Sequence, residues 1–303
     1  PGNCDSWCVG PHWGVKVNGL MLAMTDVDWA PVIANIAPPD PSLTDTFDHS
    51  PGARIALTGY NAQGYGMQVA YEGVNDYTAA LSFPLADATR AIDYESRMNS
   101  IEISFIPRSS RPLKLIGGFR FIEMSEDFVD FTTVDKVIPV PADPAAPSVA
   151  YVDSGTDYLV KNRLYGFQVG AFRDSWVLNQ WFSIEGFVNA GLYCNDFRRE
   201  VITRSVTTVY NGDDLATPDD NEFSTTVTEV DTVQKRSFAK AAFMSEASLT
   251  AVCRLNRCLA LRSGYQVTAL NGVGRGIDAF FDQGLIGRDI VYHGLHFGLE
   301  YRR

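Results

Sequence analysis

The sequence predicts an all-β protein: an antiparallel up-and-down transmembrane β-barrel of about ten strands, with short periplasmic turns and long extracellular loops. Three observations predict it. The closing stretch IVYHGLHFGLEYRR alternates, with Val291, His293, Leu295, Phe297, Leu299 and Tyr301 on one mostly apolar face and Tyr292, Gly294, His296, Gly298, Glu300 and Arg302 on the other. Further segments of about ten residues repeat the same period of two, which is the spacing of side chains across a strand. The connections between them alternate strictly between short and long. A sandwich has no reason to gather every long loop at one end, whereas a barrel that crosses a bilayer does, and lipid then covers the apolar face.

The segments follow in order. His12 to Met24, Ala53 to Asn61, Tyr65 to Gly73 and Met98 to Ile106 read as the first four strands. Leu113 to Met124, Leu164 to Phe172 and Trp181 to Asn195 follow, then Phe238 to Cys253, Cys258 to Ala269 and the closing segment. Ten is even, so both ends of the barrel domain fall on one side. NAQG, PRSSRP, RDSWVLNQ and RLNR are the short connections. The long ones are rich in Asp, Pro and Gly, with surface loops expected near 26–52, 129–158, 196–232 and 271–289. Residues 12–303 form a single barrel domain, preceded by a periplasmic segment, 1–11, that contains CDSWC.

Composition excludes other classes. No apolar run reaches the length of a membrane-spanning helix. The 18 Phe, 13 Tyr and 25 Gly suit strands, barrel bends and interfacial belts better than helices. A net charge of −11 with no basic cluster argues against nucleic acid as a partner. The expected partners are outer-membrane lipid and, through the long loops, a second copy of the chain or a surface-layer component. The first residue, Pro1, is not methionine, which suggests export with a cleaved signal peptide to the outer membrane of a Gram-negative-type bacterium. With periplasmic termini, the lipid-interface aromatics at the lower strand ends are Trp13, Tyr65, Phe105, Phe182 and Tyr301.

VYHGLHFGLEYRR, LRSGYQVTALNGV at 261–273 and LIGGFRFIEMSEDF at 115–128 resemble stretches of the outer-membrane β-barrel porin family of planctomycete-type bacteria. The resemblance runs along the whole chain and implies a barrel without catalytic chemistry. Many outer-membrane barrels end on an aromatic residue; here Tyr301 precedes Arg302 and Arg303.

The faces opposite the apolar sets carry Lys16, Arg54, Lys114, Arg120, Lys240 and Arg262 against Glu72, Glu102, Glu185, Glu246 and Glu300. A barrel of about ten strands is only slightly wider than one whose side chains fill it, so these charges are expected to pair and plug the lumen. That reading makes the protein a narrow or plugged barrel with a structural or surface-interaction role. The alternative is a porin for passive diffusion of small solutes, with Gly118, Gly166, Gly170, Gly264, Gly294 and Gly298 leaving a thin water path.

Enzymatic readings are remote. Asp45, Asp48 and His49 fall where an outer-membrane protease carries its acidic residues and histidine, but no second acidic pair matches the rim and a polar loop is the better reading. His293 is placed for a lipase-type Ser and His pair, or simply as an interfacial residue. GVGRG at 272–276 lacks the helix that phosphate cradling needs. No catalytic residue, cofactor or metal is therefore expected, although the carboxylates of Asn211 to Glu222 suit calcium chemically. The five cysteines suggest an oxidising compartment, with Cys4 to Cys8 and Cys253 to Cys258 as disulfide candidates and Cys194 left over. Zinc on four thiolates has no support beyond their number.

Overall fold

The computed structural model describes residues 12–25, 49–85, 88–107, 113–134, 138–140, 148–211, 224–276 and 288–303. Its strands in chain order are β1 (His12–Thr25), β2 (Ser50–Tyr60), β3 (Gly66–Pro84), β4 (Ala88–Ile106), β5 (Leu113–Val134) and β6 (Ile138–Val140). β7 (Ser148–Val177), β8 (Phe182–Asn211), β9 (Ser224–Arg254), β10 (Leu259–Val273) and β11 (Arg288–Arg302) complete the set. Sequential strands pair antiparallel, β1 pairs with β11, and β5 pairs directly with β7, so ten strands form a closed ring. β6 adds only three residues to the edge of β7.

Alternation places the side chains. On β4, Ile92, Tyr94, Ser96, Met98, Ser100, Glu102, Ser104 and Ile106 point in and are buried, whereas Ile101, Ile103 and Phe105 point out and are exposed. The outward apolar residues recur on every ring strand, as in Val17 and Met21 of β1 and Leu295, Phe297 and Leu299 of β11. From Trp13 to Met21 this face covers roughly 25 Å along the strand at about 3.3 Å per residue. Trp13 packs against Tyr301 with ring centroids 5.7 Å apart and Tyr65 stacks on Phe105 at 6.1 Å; Phe182 is also exposed at this end.

Three of the tight turns are closed by an asparagine side chain. Asn61 Oδ1 accepts from the backbone N–H groups of Gln63 and Tyr65. Asn179 Oδ1 accepts from Trp181 and Phe182, and Asn256 Oδ1 from Cys258 and Leu259. Local side-chain acceptors of this kind stop one strand and start the next. The turn inside RDSWVLNQ is tighter than the sequence suggests, because β7 runs on to Val177 through a bulge between Arg173 and Trp176.

At the other end several strands extend well beyond the segments expected from alternation. β7, β8 and β9 are 30, 30 and 31 residues long. The β2–β3 ladder stops at Gly52 with Val74 and the β9–β10 ladder at Phe243 with Asn271. Between these limits β3, β4, β5, β7, β8 and β9 continue as an open sheet, and the β8–β9 hairpin rises about 50 Å past Asn195. Much of 129–158 and 196–232 is thus strand. Alternation is strict only where one face is apolar; runs such as VITRSVTTVYN pair through their backbone ladder and leave no amphipathic signal. The loop at 26–48, the segment 1–11 and residues 277–287 lie outside the described residues.

The chain after β10 turns into the barrel. Gly272 adopts φ +82°, and Val273 to Gly276 are buried. The Gly274 N–H donates to Asn162 Oδ1 at 2.8 Å and the Asn162 amide donates back to the Gly274 carbonyl at 2.7 Å. Gly276 N–H donates to Glu126 Oε2 at 2.7 Å. A Cβ on Gly274 would lie 1.9 Å from the Phe197 ring. Gly274→Val is therefore expected to expel this segment and lower the temperature at which the folded band is lost in semi-native electrophoresis, whereas Gly59→Val, which has open space for a Cβ, is expected to leave it nearly unchanged.

Candidate functional site

The lumen is layered, and its middle layer is ionic. Glu246 of β9 accepts from Arg54 of β2 at 2.7 Å through Oε1 and from Arg120 of β5 at 2.6 Å through Oε2. β9 is separated from β2 by three strands and from β5 by two, so these bonds cross the lumen. Arg54 also reaches Glu72 at 3.1 Å and Glu102 at 3.7 Å, and Arg120 reaches Glu72 at 3.7 Å. Ser100 accepts from Arg120 Nε, Ser104 donates to Glu102, and Gln266 donates to Glu72. Glu72, Glu102, Glu246 and Arg120 are all buried. A guanidinium presents its donors in a fixed fork, which lets each arginine hold carboxylates from different strands.

Above this layer, towards the long strands, the lumen is filled chiefly by apolar side chains, among which Glu126, Asn162 and Arg275 are also buried. Leu22, Val74, Met98, Ile122, Met124, Leu164, Leu270 and Ile290 belong to one buried cluster with Tyr77 and Tyr292. The inward segment with Gly274 packs beside it against Phe197. Neighbouring side chains lie against the inward glycines: Tyr193 over Gly166 and Gly191, His296 over Gly264, and Asn18 over Gly298. Gly118 meets Ser104, Gly170 meets Ile116, and Gly294 meets the β1 backbone.

Below the ionic layer, at the short-turn end, is a cavity of about 960 Å³. Arg262 holds Glu300 at 2.6 Å and Glu185 at 2.7 Å on its wall, and Arg302 donates to Glu300 at 2.5 Å. Lys16 lines the same cavity, opposite Glu300 in the β1–β11 register. Lys114 sits with its ammonium 5.9 Å from the Tyr60 ring and 5.5 Å from the Phe172 ring. Lys240 is half-buried on the inward face of β9, across from Asn195 and above the ionic layer. Of the eleven charges expected in the lumen, Arg54, Glu72, Glu102, Arg120 and Glu246 meet in the middle layer, and Glu185, Arg262 and Glu300 meet on the cavity wall.

The cysteine expectation needs correction. Cys194, Cys253 and Cys258 are free thiols. Cys253 pairs with Leu261 and Phe182 on the outward face, whereas Cys258 lies in the turn and lines the cavity. The barrel wall stands between them, so the spacing that suits a bridge does not bring the sulfurs together. Cys194 is exposed on the outer face rather than buried. Cys4 and Cys8 lie outside the described residues, as do the acidic positions Asp213 to Glu222 and residues Asp45 and Asp48. His293 shares a 2.6 Å hydrogen bond through Nδ1 with the Tyr265 hydroxyl. Among the described residues no group of His, Cys, Asp and Glu is placed to hold a metal.

Sequence reasoning missed Gln168, Tyr193 and His296 as lumen residues. Tyr193 donates to Gln168 Oε1 at 3.2 Å, and His296 Nε2 shares a 3.0 Å hydrogen bond with Thr250. All three lie on the inward parity of their strands, which was the signal available.

No protein-family model and no curated protein matches the sequence. Solved structures that align are Ail, the attachment invasion locus protein of Yersinia pestis, in complex with the heparin analogue sucrose octasulfate, at TM-score 0.27 and 7% identity over 97% of this chain and 99% of that one. The P. putida toluene transporter TodX aligns at 0.23 and 6%, over 97% and 90% of the two chains. LpxR from Salmonella typhimurium aligns at 0.23 and 11%, over 96% and 99%. Likeness at this level is too weak to carry an argument, and the barrel stands on its own ladder pairings.

The ionic layer makes a sharp prediction. Glu246→Gln or Glu246→Ala leaves two buried guanidiniums short of a shared acceptor and is expected to cost about 3–5 kcal/mol. Glu123→Ala, which removes the solvent-accessible partner of Arg163 on the outer face, is expected to leave the unfolding transition essentially in place. Urea unfolding of the protein folded in lipid vesicles measures both.

Proposed function

We propose that the protein is an outer-membrane barrel with a closed lumen, which serves the cell envelope by structure and by surface contact rather than by solute passage. The observation that carries this reading is the bridging of the lumen by Glu246, held by arginines from two distant strands. The apolar layer and the inward segment above it close the same passage a second time. A membrane location is supported by the continuous outward apolar face and by Trp13, Tyr65, Phe105, Phe182 and Tyr301 at one rim. The short turns then face the periplasm and the open sheet of β3, β4, β5, β7, β8 and β9 stands outside the cell.

That sheet is the part suited to contact. Among the described residues, β9 above Ala242 is paired on one side only, by β8, and carries exposed Val227, Val230 and Val233. A second copy of the chain or another surface component is the proposed partner. The resemblance to the porin family of planctomycete-type bacteria supports an envelope role and export through a signal peptide, and it keeps passive diffusion as the second reading.

Purified wild-type protein in a planar bilayer is expected to insert without steady conductance. Large, stable, ohmic currents would reject the closed reading in favour of a diffusion channel. Protease added to intact cells is expected to cut within 26–52 or 196–232 and to spare Arg108 and Arg111; cleavage at either arginine would reverse the proposed orientation.

A further inference from the structure

Going beyond the closed-barrel reading, we propose that the cavity at the short-turn end is a binding site for a small organic anion, a carboxylate or phosphate group carried on a flat apolar body. The cavity is a dead end roofed by the ionic layer, and its volume of about 960 Å³ suits one such molecule. Its walls are cationic although the chain as a whole is acidic at −11. Lys16, Lys114, Arg173, Arg257, Arg262 and Arg302 line it, against the carboxylates of Glu185 and Glu300. Low-dielectric walls on which cations outnumber carboxylates concentrate anions within them.

Two further features point to a ligand. His296 lines the inner wall and is 5% exposed. Its Nε2 is engaged by Thr250, and its Nδ1 has no hydrogen-bond partner among the described residues. When the Thr250 hydroxyl donates to Nε2, Nδ1 carries the proton and is a donor. Buried polar atoms left in this state are uncommon, and a bound molecule is one way to satisfy them. The mouth supplies the apolar part of the match: His12 stacks on Tyr60 with ring centroids 4.6 Å apart, and Phe172 and Phe187 stand in the wall. Flat rings flanked by cations favour an aromatic or similarly planar anion over a fully hydrated ion.

Calorimetric titration of the detergent-solubilised full chain with 1-naphthyl phosphate tests this, with 1-naphthol and inorganic phosphate as separate arms. Saturable binding of one 1-naphthyl phosphate per chain is expected, at least tenfold tighter than either comparison ligand. Lys16→Gln and Arg257→Gln are each expected to weaken it severalfold and together at least tenfold. Lys235→Gln, on the distant sheet, is expected to leave it unchanged. Absence of saturable binding, equal affinity for 1-naphthol, or full affinity in the Lys16→Gln/Arg257→Gln double variant would overturn the proposal. Equal affinity for inorganic phosphate would also overturn it, because the site would then not select an organic anion. Binding and conductance are read in different experiments, so a conducting barrel would reject the closed-lumen reading without deciding this one.

Discussion

A carboxylate from β9 has to be satisfied in the middle of a barrel too narrow to hold bulk water around it, and among the described residues the side-chain donors bonded to it come from distant strands. Glu246 resolves this by taking one guanidinium from β2 and one from β5. Its two oxygens therefore set the distance across the ring. Ionic groups desolvated in this way are costly to bury and still more costly to leave half-paired, so their effect is to specify one arrangement rather than to add large net stability. The remaining contacts, Arg54 to Glu72 and Arg120 to Ser100, orient the two forks so that both can reach the shared acceptor.

The layers on either side follow from that clamp. Above it, a buried apolar cluster fills much of the lumen, and the Gly272–Gly276 segment hydrogen-bonds its backbone to the inward polar groups of Asn162 and Glu126. Below it, the carboxylates are fewer and the cations more numerous, and a cavity persists because like charges do not collapse onto one another. One strand pattern thus produces an upper barrel filled by side chains and a cavity below it. In the proposed membrane setting lipid covers the outer surface, which accounts for the exposure of Ile101, Ile103 and Phe105.

Much of this was legible in the sequence, and the limits are physical. Parity placed Glu102 and Arg120 inward and Trp13 and Tyr301 outward, because lipid on one side and packing on the other enforce a period of two. Parity carries no information about which inward residues meet across a lumen; that depends on the stagger of the ring, and so the link between Glu246 and Arg54 was not readable. The upper strands were missed where both faces are polar, as in TTVYN and STTVTEV. Cys253 is instructive in the other direction. Its outward parity with Leu249 and Leu261 was visible, and it already argued against a bond to a cysteine in the following turn. GVGRG was noticed for its glycines, but its role as an inward plug depends on Phe197 and Asn162, far away in sequence.

A double-mutant cycle between Arg120 and Glu246 tests the central claim most directly. Arg120→Met, Glu246→Leu and the combined variant are unfolded by urea from lipid vesicles and their stabilities compared. The account predicts strong coupling, with each single change costing several kcal/mol and the double change costing at least about 2 kcal/mol less than their sum, because the second substitution removes a buried charge that the first had stranded. Additive costs would show that the two residues do not share a bridge across the lumen and would contradict the account.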